Sequence, residues 1–578
     1  MKRYINAALA ALLALPALTL TSCLEDTFPT GSVIQEQVDK ADKTYLVNSI
    51  PAYLLRYSSD NESYDIGFMC VLQWRDASTA DMPIYDNSYD YYPYVSSGNY
   101  LGSQYDYVYT IWSRYYGLVQ KANLVLQAID EDNPEDYEAA GIACAFRADA
   151  YLEMAQWYEF KPTGFGDLDQ HAVDAGVIGM TVPIVTENTT EAESRNNPRV
   201  PFYEMYRFIL TDLNKGEKFA YGKPEPASKS YAGLGVIYGL QARLWLLMGT
   251  RFDMHPEDLA TQISHEEDAD IPFDRLGVTT ARECFVKAAE YARKAINTGY
   301  TPVTESQWFD PKTGFNSSNN AWMWEIAINP NNGLASSMVW QSWVSFMCPE
   351  ASYGIATQPY NGYRMIESRL FDKISDSDWR KPTWIAPSDV ADENAYNTKY
   401  ARGTVLNFNE WSKFSAYCGF KFHAANGSNT ISTVGNAVST PIMRVEEMYL
   451  IEAEAIGRSQ GDGAGRAALE SFVNTYRYKD GSYKSTGAGI EGFIDDVFTQ
   501  KRIEFWGEGL IFWDYKRLEK AVIKDYPESN FPTQYRVNSL PDHVAPWFNF
   551  CIPQSEKNYN DGVILNPNPS KGVYWNPN

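Results

Sequence analysis

Histidine is scarce and cysteine is scattered in this sequence, which argues against a zinc site and a dense disulfide framework. Only five histidines occur in 578 residues, without a His-x-x-x-His pair or an EF-hand pattern. No Cys-x-x-Cys pair occurs, and the cysteine spacing assigns no pairing. The cysteines lie at position 23 and at positions 70, 144, 284, 348, 418 and 551. We therefore expect no cofactor.

One acidic loop keeps a metal alternative open. Two histidines lie close to a run of acidic residues, namely His255, His265, Glu266, Glu267, Asp268 and Asp270. Because this run lacks the ligand spacing of zinc and EF-hand sites, a solvated acidic loop explains it better. A weakly bound structural calcium ion is the alternative.

Motifs for nucleophilic catalysis and for nucleotide binding are also missing. The sequence contains no Gly-x-Ser-x-Gly elbow and no Walker motif. Residues 487–492 spell Gly-x-Gly-x-x-Gly, but no buried strand precedes them, so we interpret them as a loop that enters a helix. Glycoside hydrolysis needs two carboxylates at a defined distance, whereas Glu504 and Glu508 are better explained as salt-bridge partners. We expect a protein that is not an enzyme.

Basic residues are fewer than acidic residues. The chain has 49 Lys and Arg against 73 Asp and Glu, for a net charge of −24. Loss of Lys2 and Arg3 with an amino-terminal signal would remove two positive charges and give −26. Such a body repels nucleic acid phosphates and anionic lipid, so we expect no nucleic acid partner and a neutral or cationic ligand.

Long apolar runs are missing except at the amino terminus. Residues 1–22 have a basic start and an apolar run over 5–20, as in a secretory signal peptide, and the run is too short for a stable membrane span. The end of this segment, Leu20-Thr-Ser-Cys23, matches a bacterial lipobox, in which Cys23 becomes the lipidated first residue of the mature chain. The alternative is an ordinary signal peptide that is cleaved elsewhere.

Aromatic residues, by contrast, are abundant, and many lie in two stretches without helical period. Phe, Trp and Tyr make up 15% of the chain, with 41 Tyr and 16 Trp. The first stretch, residues 58–101, mixes Tyr with Asp, Asn, Ser and Gly, and the second, residues 299–441, is rich in Trp. Long loops in compact proteins are usually functional or disordered, and this aromatic content argues against disorder.

The remaining sequence predicts helices that come in pairs. Small residues recur at helical spacing, which favours tight helix contacts and a tetratricopeptide-like stack, although long insertions separate the pairs. The predicted helices cover 33–57 with a break at Pro51, 102–130, 135–159, 201–219, 230–250, 279–298, 443–458, 463–476 and 490–520. Residues 322–328 alternate as a short strand would.

Residues 501–518 show a marked helical pattern near the carboxyl end. Side chains recur every three or four residues, so a helix would bury an aromatic stripe. The stripe consists of Ile503, Trp506, Leu510, Trp513 and Arg517. Gly507 and Gly509 predict close approach of another backbone or a break between two shorter helices.

The acidic residues of this stretch follow the same period. Glu504 and Glu508 are one turn apart, and Asp514 lies within a turn of Arg517. We therefore expect these carboxylates to pair with Arg502 and Arg517, either along the helix or across to a neighbour.

This stretch resembles the carboxy-terminal signature of the SusD/RagB family. The residues in register are Lys501-Arg502, Glu504-Phe505, Glu508-Gly509, Asp514-Tyr515 and Arg517. Ile511 stands where the family usually has Arg, which puts one buried salt bridge in doubt. The element from Arg444 to Ala455 and the short Asp378-Trp-Arg380 segment resemble family elements as well. Leu24-Glu25-Asp26 resembles the acidic tag that carries lipoproteins to the cell surface in the Bacteroidetes.

The resemblance covers most of the chain and implies its architecture. We expect a mainly α fold in which a tetratricopeptide-like helix-pair scaffold carries a loop-rich, aromatic-rich ligand-binding face with minor β structure. The expected segments are a signal peptide (1–22), a lipid-anchored tether (23–32) and one SusD-like domain (33–578), with scaffold at 33–300 and 442–520, ligand-face loops at 58–101 and 299–441 and a surface-wrapping tail at 521–578.

By the same resemblance, the protein would be a surface-exposed lipoprotein of the outer membrane. It would capture an oligosaccharide or polysaccharide and pass it to a SusC-like TonB-dependent transporter, towards which the helical scaffold would face. Some relatives resembling RagB take peptides, so a peptide-binding lipoprotein is the first alternative, and a helical glycoside hydrolase is the second.

The expected ligand-binding residues lie in the two aromatic stretches. A flat ring lies against the apolar face of a sugar, while neighbouring polar groups bond its hydroxyls. The first loop offers Trp74, Arg75, Asp81, Tyr85, Asn87 and Tyr89, and the second offers Trp340, Trp343, Tyr353 and Tyr360. Packing within the loop is the competing explanation for any single ring.

Overall fold

A computed structural model of the chain describes residues 43–57, 65–85, 92–331, 333–337, 342–355 and 364–577. The predicted signal peptide, the lipidated Cys23 and the tether lie outside these residues. Four of the predicted ligand-binding residues also lie outside them, namely Asn87, Tyr89, Trp340 and Tyr360.

Helices dominate the described residues. Before the first strand they are α1 (Lys43–Tyr53), α2 (Met69–Ser78), α3 (Tyr92–Ser96), α4 (Asp106–Ala128), α5 (Tyr137–Tyr158), α6 (Gly166–Ala175), α7 (Glu191–Ser194), α8 (Phe202–Ala220), α9 (Leu234–Met254), α10 (Pro256–His265), α11 (Ala281–Ile296) and α12 (Glu305–Trp308). Short elements follow: β1 (Trp322–Ile326), α13 (Gly333–Ser337), α14 (Trp343–Met347), α15 (Ser368–Asp372), α16 (Glu393–Ala395), α17 (Phe408–Trp411), α18 (Ser432–Gly435) and β2 (Thr440–Arg444). The closing elements are α19 (Val445–Gln460), α20 (Asp462–Tyr476), α21 (Gly489–Glu504), α22 (Ile511–Arg517) and α23 (Gln554–Tyr559).

The long helices stack side by side in an array. In order of contact the array runs α1, α4, α5, α8, α9, α11, α19 and α20. Small residues allow the close approach: a side chain at Gly249 of α9 would place its Cβ 2.8 Å from the Phe285 ring of α11. The predicted tetratricopeptide-like scaffold is confirmed, and the bounds of the helices predicted between residues 102 and 476 agree with the structure to within four residues. The start of the predicted helix 33–57 lies outside the described residues, and α6 and α10 were not predicted.

Helix α11 shows how sequence determines these elements. The Thr280 hydroxyl accepts a hydrogen bond from the Glu283 backbone N–H, and the Glu283 carboxylate accepts one from the Thr280 backbone N–H, a capping box that starts the helix. Its small residues then recur on one buried side, with Cys284 and Ala288 one turn apart. Such a narrow side lets α9 and α19 pack closely on either flank.

The β structure is one short antiparallel pair. β1 and β2 align Trp322 with Arg444 and Ile326 with Thr440, with irregularities in between. Every residue of both strands is buried. The predicted strand is therefore confirmed, and it places Arg444 at the edge of the core.

The first predicted loop region contains a helix that the sequence pattern missed. All ten residues of α2 are buried, including Trp74, Arg75 and Asp76. A helix buried on every side has no polar face, so its sequence shows no amphipathic period. The loop interpretation of residues 58–101 was wrong for α2 and for α3.

The closing stretch is two helices joined by a glycine turn, as predicted. α21 ends at Glu504 and α22 begins at Ile511, while Gly507 and Gly509 adopt φ of 81° and 72°. At Gly509 a Cβ would lie 2.7 Å from the Leu72 Cα, so the turn lies directly against α2.

Glu504 and Glu508 pair with arginines other than Arg502 and Arg517, whereas Asp514 pairs with Arg517 along the helix as predicted. Glu504 accepts hydrogen bonds from Arg380 at 2.7 Å, from Arg444 at 3.1 Å and from Arg477 at 2.7 Å, and all four side chains are fully buried. Burial alone would raise the pKa of Glu504, but the three guanidinium groups hold it well below its usual range. We call Glu504, Arg380, Arg444 and Arg477 the core ion network.

Arg502 and Arg517 pair with carboxylates other than Glu504. Arg502 contacts Asp81 at 2.6 Å, whereas Arg517 contacts Asp514 at 2.6 Å. Ile511, at the position where the family usually has Arg, is buried and apolar. The salt bridge that an arginine would make there is therefore absent from this chain.

The carboxy-terminal tail contributes to the core as well as to the surface. Trp547, Phe548 and Phe550 are fully buried, and the Trp547 indole donates a hydrogen bond to the Ser78 carbonyl at 2.8 Å. The tail is rich in Pro and Asn and is largely irregular apart from α23, but residues 544–552 are apolar enough to enter the interior. The surface-wrapping description therefore does not apply to those residues.

All six cysteines of the described residues are buried and free. No described helix combines the length and the apolar composition that crossing a bilayer requires.

One ion pair gives a pH-dependent prediction. Glu519 contacts His255 at 2.8 Å and Lys161 at 3.2 Å. Burial opposes ionisation of Glu519, but His255 and Lys161 lower its pKa to about 2, and the hydrogen bond that His255 donates to Glu519 raises the pKa of His255. The lowered pKa of Glu519 stabilises the folded protein fully above pH 4.5, and this stabilisation is lost as pH falls towards 2. The raised pKa of His255 stabilises it fully below pH 6.5, and this stabilisation is lost as pH rises through the raised pKa.

Glu519→Gln is therefore expected to destabilise the protein most between pH 4.5 and 6.5. Because His255 is half exposed, we expect a loss of about 1–2 kcal/mol, measured as the free energy of unfolding in urea. Glu257→Gln is the control, since Glu257 is 73% exposed and lies 3.6 Å from the same imidazole. A Glu519→Gln effect of equal size at pH 3, 5.5 and 8 would contradict the prediction.

Candidate functional site

Five aromatic side chains form a continuous ladder from the core to the surface. Ring centroids are 5.0 Å apart for Trp74 and Tyr107, 5.9 Å for Tyr107 and Tyr105, 5.4 Å for Tyr105 and Tyr100, and 5.2 Å for Tyr100 and Tyr94. We call this set the tyrosine ladder. Each pair lies within the range of favourable ring contacts, so each ring supports the next.

The two ends of the ladder differ in exposure. Trp74 is fully buried, Tyr105 is half-buried, and Tyr100 and Tyr94 are 48% and 41% exposed. The outer two rings meet edge to face, with an interplanar angle of 85°. The outer end therefore presents two differently oriented rings to solvent on a rigid base.

Backbone strain marks the outer end of the ladder. Tyr100 has φ of 58°, a left-handed conformation that is costly for a side chain of this size. Such strain persists only where neighbours impose it, and it concentrates at functional sites. Here the Leu101 N–H donates to the Ser570 hydroxyl at 2.7 Å and the Lys571 N–H donates to the Gly98 carbonyl at 2.8 Å. The carboxy-terminal tail thus holds the turn that orients Tyr100.

Gly98 lies on top of two tryptophans of that tail. Its φ is 71°, and a Cβ at this position would lie 3.3 Å from the rings of both Trp547 and Trp575. The position therefore requires glycine for its conformation and for its close approach.

Gly98→Ala is expected to lower the free energy of unfolding by about 1–3 kcal/mol, as read from urea denaturation. Gly222→Ala is the matched control, because Gly222 has φ of 75° and no atom within 4 Å of its added Cβ. The difference between the free energies of unfolding lost at Gly98 and at Gly222 measures the cost of the contact with Trp547 and Trp575. Equal losses at the two positions would show that the rings move aside without cost.

The structure brings the two predicted loop regions together beside the ladder. Ile84 and Arg364 form a β-bridge, and the Met365 N–H donates to the Pro83 carbonyl at 3.1 Å. Arg364 also donates to the Gln73 side chain at 3.1 Å. Parts of the two stretches, 280 residues apart at the Ile84–Arg364 bridge, are therefore joined in the interior, where both bridge residues are buried.

Three of the predicted ligand-binding residues lie in the interior. Arg75 is buried against Glu153 and donates to the Tyr115 hydroxyl at 2.6 Å, and Asp81 accepts from Arg502. Trp74, at the inner end of the ladder, is fully buried. Because α2 is enclosed on every side, none of these side chains reaches the surface in this structure.

The remaining described residues of that prediction differ in exposure. Tyr85 is 58% exposed and follows the Ile84 bridge. Trp343 is buried against Phe422, with ring centroids 5.1 Å apart. Tyr353 is half-buried, and its hydroxyl donates to the Glu410 carbonyl at 2.8 Å. Only Tyr85 among these three presents most of its side chain to solvent.

The sequence analysis did not single out Tyr94, Tyr100 or Tyr105. The Tyr-rich composition around them was visible, but which rings would be exposed was not. A positive φ is common at glycine and rare at tyrosine, so the residue type at position 100 does not predict the left-handed conformation of Tyr100.

The acidic loop and the Glu504–Glu508 pair, the two places considered for alternative chemistry, are both structural in the described part of the chain. No group of three or more His, Cys, Asp or Glu side chains is arranged there to hold a metal. In the acidic loop, Glu266 accepts from the Gln262 amide at 2.8 Å. Glu504 and Glu508 are occupied by buried ion pairs, which leaves neither carboxylate accessible to a substrate.

Two family models match the chain. The model described as the SusD family matches residues 296–578, and the model described as starch-binding and associating with outer membrane matches residues 72–246. None of the curated proteins matches.

Solved structures of low sequence identity share the fold. A SusD-like carbohydrate binding protein from Bacteroides vulgatus is 19% identical, with a TM-score of 0.64, over 90% of this chain and 96% of its own. A SusD superfamily protein from Bacteroides thetaiotaomicron is 16% identical, with a TM-score of 0.61, over 92% and 99%. Surface glycan-binding protein A from Bacteroides thetaiotaomicron, in complex with laminarihexaose, is 16% identical, with a TM-score of 0.60, over 91% and 98%.

Proposed function

This chain belongs to the SusD family, and from that premise we propose that it captures a glycan at the cell surface and passes it to a SusC-like TonB-dependent outer-membrane transporter. The single observation that carries the ligand class is the exposed outer end of the tyrosine ladder. Anchoring through a lipid on Cys23, with the helical scaffold towards the transporter, is part of the same proposal.

The outer end of the ladder has the chemistry of a sugar platform. The rings of Tyr94 and Tyr100 offer apolar faces to the C–H side of a sugar, and rigidity limits the entropy lost on binding. Gln104 and Asp106, which flank Tyr105, are exposed and offer hydrogen bonds to hydroxyl groups.

The predicted loop residues take two roles in this proposal. Tyr85 extends the exposed surface from the Ile84 bridge, whereas Trp74, Arg75 and Asp81 hold that surface from the interior. Asn87, Tyr89, Trp340 and Tyr360 stay predicted contact residues of the same face.

Charge favours a neutral glycan over an acidic one. With a net charge of −24, the body repels uronic or sulfated chains at low salt. The relative that was solved with laminarihexaose has the same fold, which supports an oligosaccharide as the cargo.

Native affinity gels test the proposal. Lipid-free protein would be run through gels that contain plant, host or microbial polysaccharides, and retardation by at least one neutral polysaccharide is expected. Cationic and neutral peptides would be tested in parallel by calorimetry. Migration unaffected by every polysaccharide, together with peptide binding, would replace the glycan by a peptide. Release of reducing ends by the pure protein would overturn a binding-only role.

A further inference from the structure

A pocket between α4, α7 and α23 has no role in the site described above. Its volume is about 360 Å³, within the usual size range of small-molecule sites. Its walls include three aromatic and three charged side chains, namely Trp112, Tyr116, Tyr559, Glu191, Arg195 and Glu556. We propose that this pocket, here called the Trp112 pocket, is a second saccharide subsite, an inference that rests on the proposed glycan-binding function.

An aromatic stripe along α4 leads from the tyrosine ladder to the pocket. Tyr105, Tyr109, Trp112 and Tyr116 are spaced by four, three and four residues, which places them within about 60° of arc on one face of the helix. From Tyr105 to Tyr116 the rise is about 16 Å. A glycan that lies along this face would reach both the ladder and the pocket.

The stripe is more than core packing. Tyr109 is 51% exposed and Tyr559, at the far wall of the pocket, is 78% exposed. Trp112 forms the floor, where its indole N–H donates to the Glu556 carboxylate at 3.3 Å and its ring contacts Tyr116 at 4.6 Å. Tyr559 is thus an exposed ring at the wall, while Trp112, 4% exposed, is held at the floor by its contacts with Glu556 and Tyr116.

The rim supplies both donors and acceptors. Glu191 and Arg195 pair at 2.5 Å on the exposed side of α7, with side chains 83% and 67% exposed. A capping box between Thr190 and Glu193 fixes this short helix. The rim therefore presents carboxylate acceptors and guanidinium donors, which suits hydroxyl groups that act as both.

The same rim disfavours anionic ligands most. An anionic ligand would meet Glu191 and Glu556, whereas a cationic group would be attracted by these two carboxylates and repelled by Arg195. A neutral, hydroxyl-rich ligand with an apolar face meets neither penalty. Aromatic walls with a rim of mixed charge therefore favour a sugar.

The second subsite predicts a dependence on glycan length. A chain long enough to occupy the ladder and the pocket gains the second contact at high effective concentration, whereas a short oligosaccharide occupies one of them. Tyr559→Ala is expected to lower the affinity for the retarding polysaccharide by about 3- to 10-fold. The affinity for the shortest oligosaccharide that binds is expected to change by less than about 2-fold.

Tyr221→Ala is the matched control, because Tyr221 is 74% exposed and does not line the pocket. Affinity would be measured by calorimetry on an oligosaccharide length series and by gel retardation. Oxidative footprinting would follow Tyr559 and Tyr109, which are expected to become protected by the long glycan and not by the short one. Thermal denaturation is expected to be unchanged in both variants, since both side chains are exposed.

The outcomes separate the two proposals. If the wild type binds no glycan, the proposed function fails and the second subsite falls with it. If the wild type binds but the affinities of Tyr559→Ala and Tyr221→Ala are equal for every oligosaccharide length, only the second subsite is overturned. Equal losses for short and long glycans would make the pocket part of one site, and a loss confined to peptide binding would overturn the sugar assignment.

Discussion

Glu504→Ala is expected to cost about 3–5 kcal/mol of folding free energy, a large share of the stability of an ordinary folded protein. The substitution removes the common partner of Arg380, Arg444 and Arg477, all fully buried. Each arginine keeps a second carboxylate, Asp378 for Arg380 and Glu446 for Arg444 and Arg477. The buried cluster nevertheless loses one negative charge, so the desolvation cost of its guanidinium groups is no longer fully compensated. Urea denaturation followed by circular dichroism measures the loss, with expression as inclusion bodies as the extreme result.

Two further variants make this prediction specific. Glu491→Ala, an exposed position on the same helix α21, is expected to change stability by no more than about 0.5 kcal/mol. Glu504→Gln keeps hydrogen-bond acceptors and loses the charge, so its loss is expected to fall between the two. If Glu504→Ala unfolded at the same urea concentration as Glu491→Ala, the core ion network would not be a major source of stability.

The core ion network joins three elements that lie far apart in sequence and that resemble elements of the family. Arg380 follows Asp378, to which it is bound at 2.6 Å, and Arg444 lies at the end of β2. Both converge on Glu504 at the end of α21. The insertion, the sheet and the closing helices are therefore joined at one buried carboxylate.

Tyr100→Leu is expected to weaken binding of the retarding polysaccharide by about 10- to 30-fold. The substitution removes an exposed ring that contacts both Tyr105 and Tyr94, and central aromatic contacts typically account for much of the binding energy of a site. Folding stability is expected to change little, because Tyr100 is 48% exposed and leucine keeps apolar bulk at the same φ. Calorimetry on the wild type and the variant measures the difference.

Tyr100→Phe is the control for this experiment. It keeps the ring and removes the hydroxyl, so affinity within about 3-fold of the wild type is expected if ring stacking is the main contribution. A Tyr100→Leu variant that binds like the wild type would remove the outer end of the ladder from the site. A loss of equal size in Tyr100→Phe would transfer the role from the ring to the hydroxyl.

Local pattern was sufficient for part of the molecule. Helices with one buried side, such as α11, can be predicted from apolar periodicity and capping residues, because both act within a few residues of the chain. The glycine break between α21 and α22 was predictable for the same reason. So was the family, because its signature is a short run of residues in fixed register.

Other features depend on residues far apart in sequence. The helix α2 is enclosed by α3, α22 and the tail, so burial on all sides erased the periodicity that would have revealed it. The outer end of the ladder needs Ser570 and Lys571 to hold the turn at Gly98, more than 450 residues away in sequence. No local pattern encodes either arrangement.

By itself, the sequence determined the mainly helical class, the family and the abundance of aromatic residues on two long stretches, since each of these follows from composition or from short-range spacing. Only the tertiary structure decided which aromatic side chains are covered and which are exposed, and which arginines meet Glu504. The physical reason is that burial and ion pairing are properties of the packed neighbours of a residue, which the chain supplies from anywhere along its length.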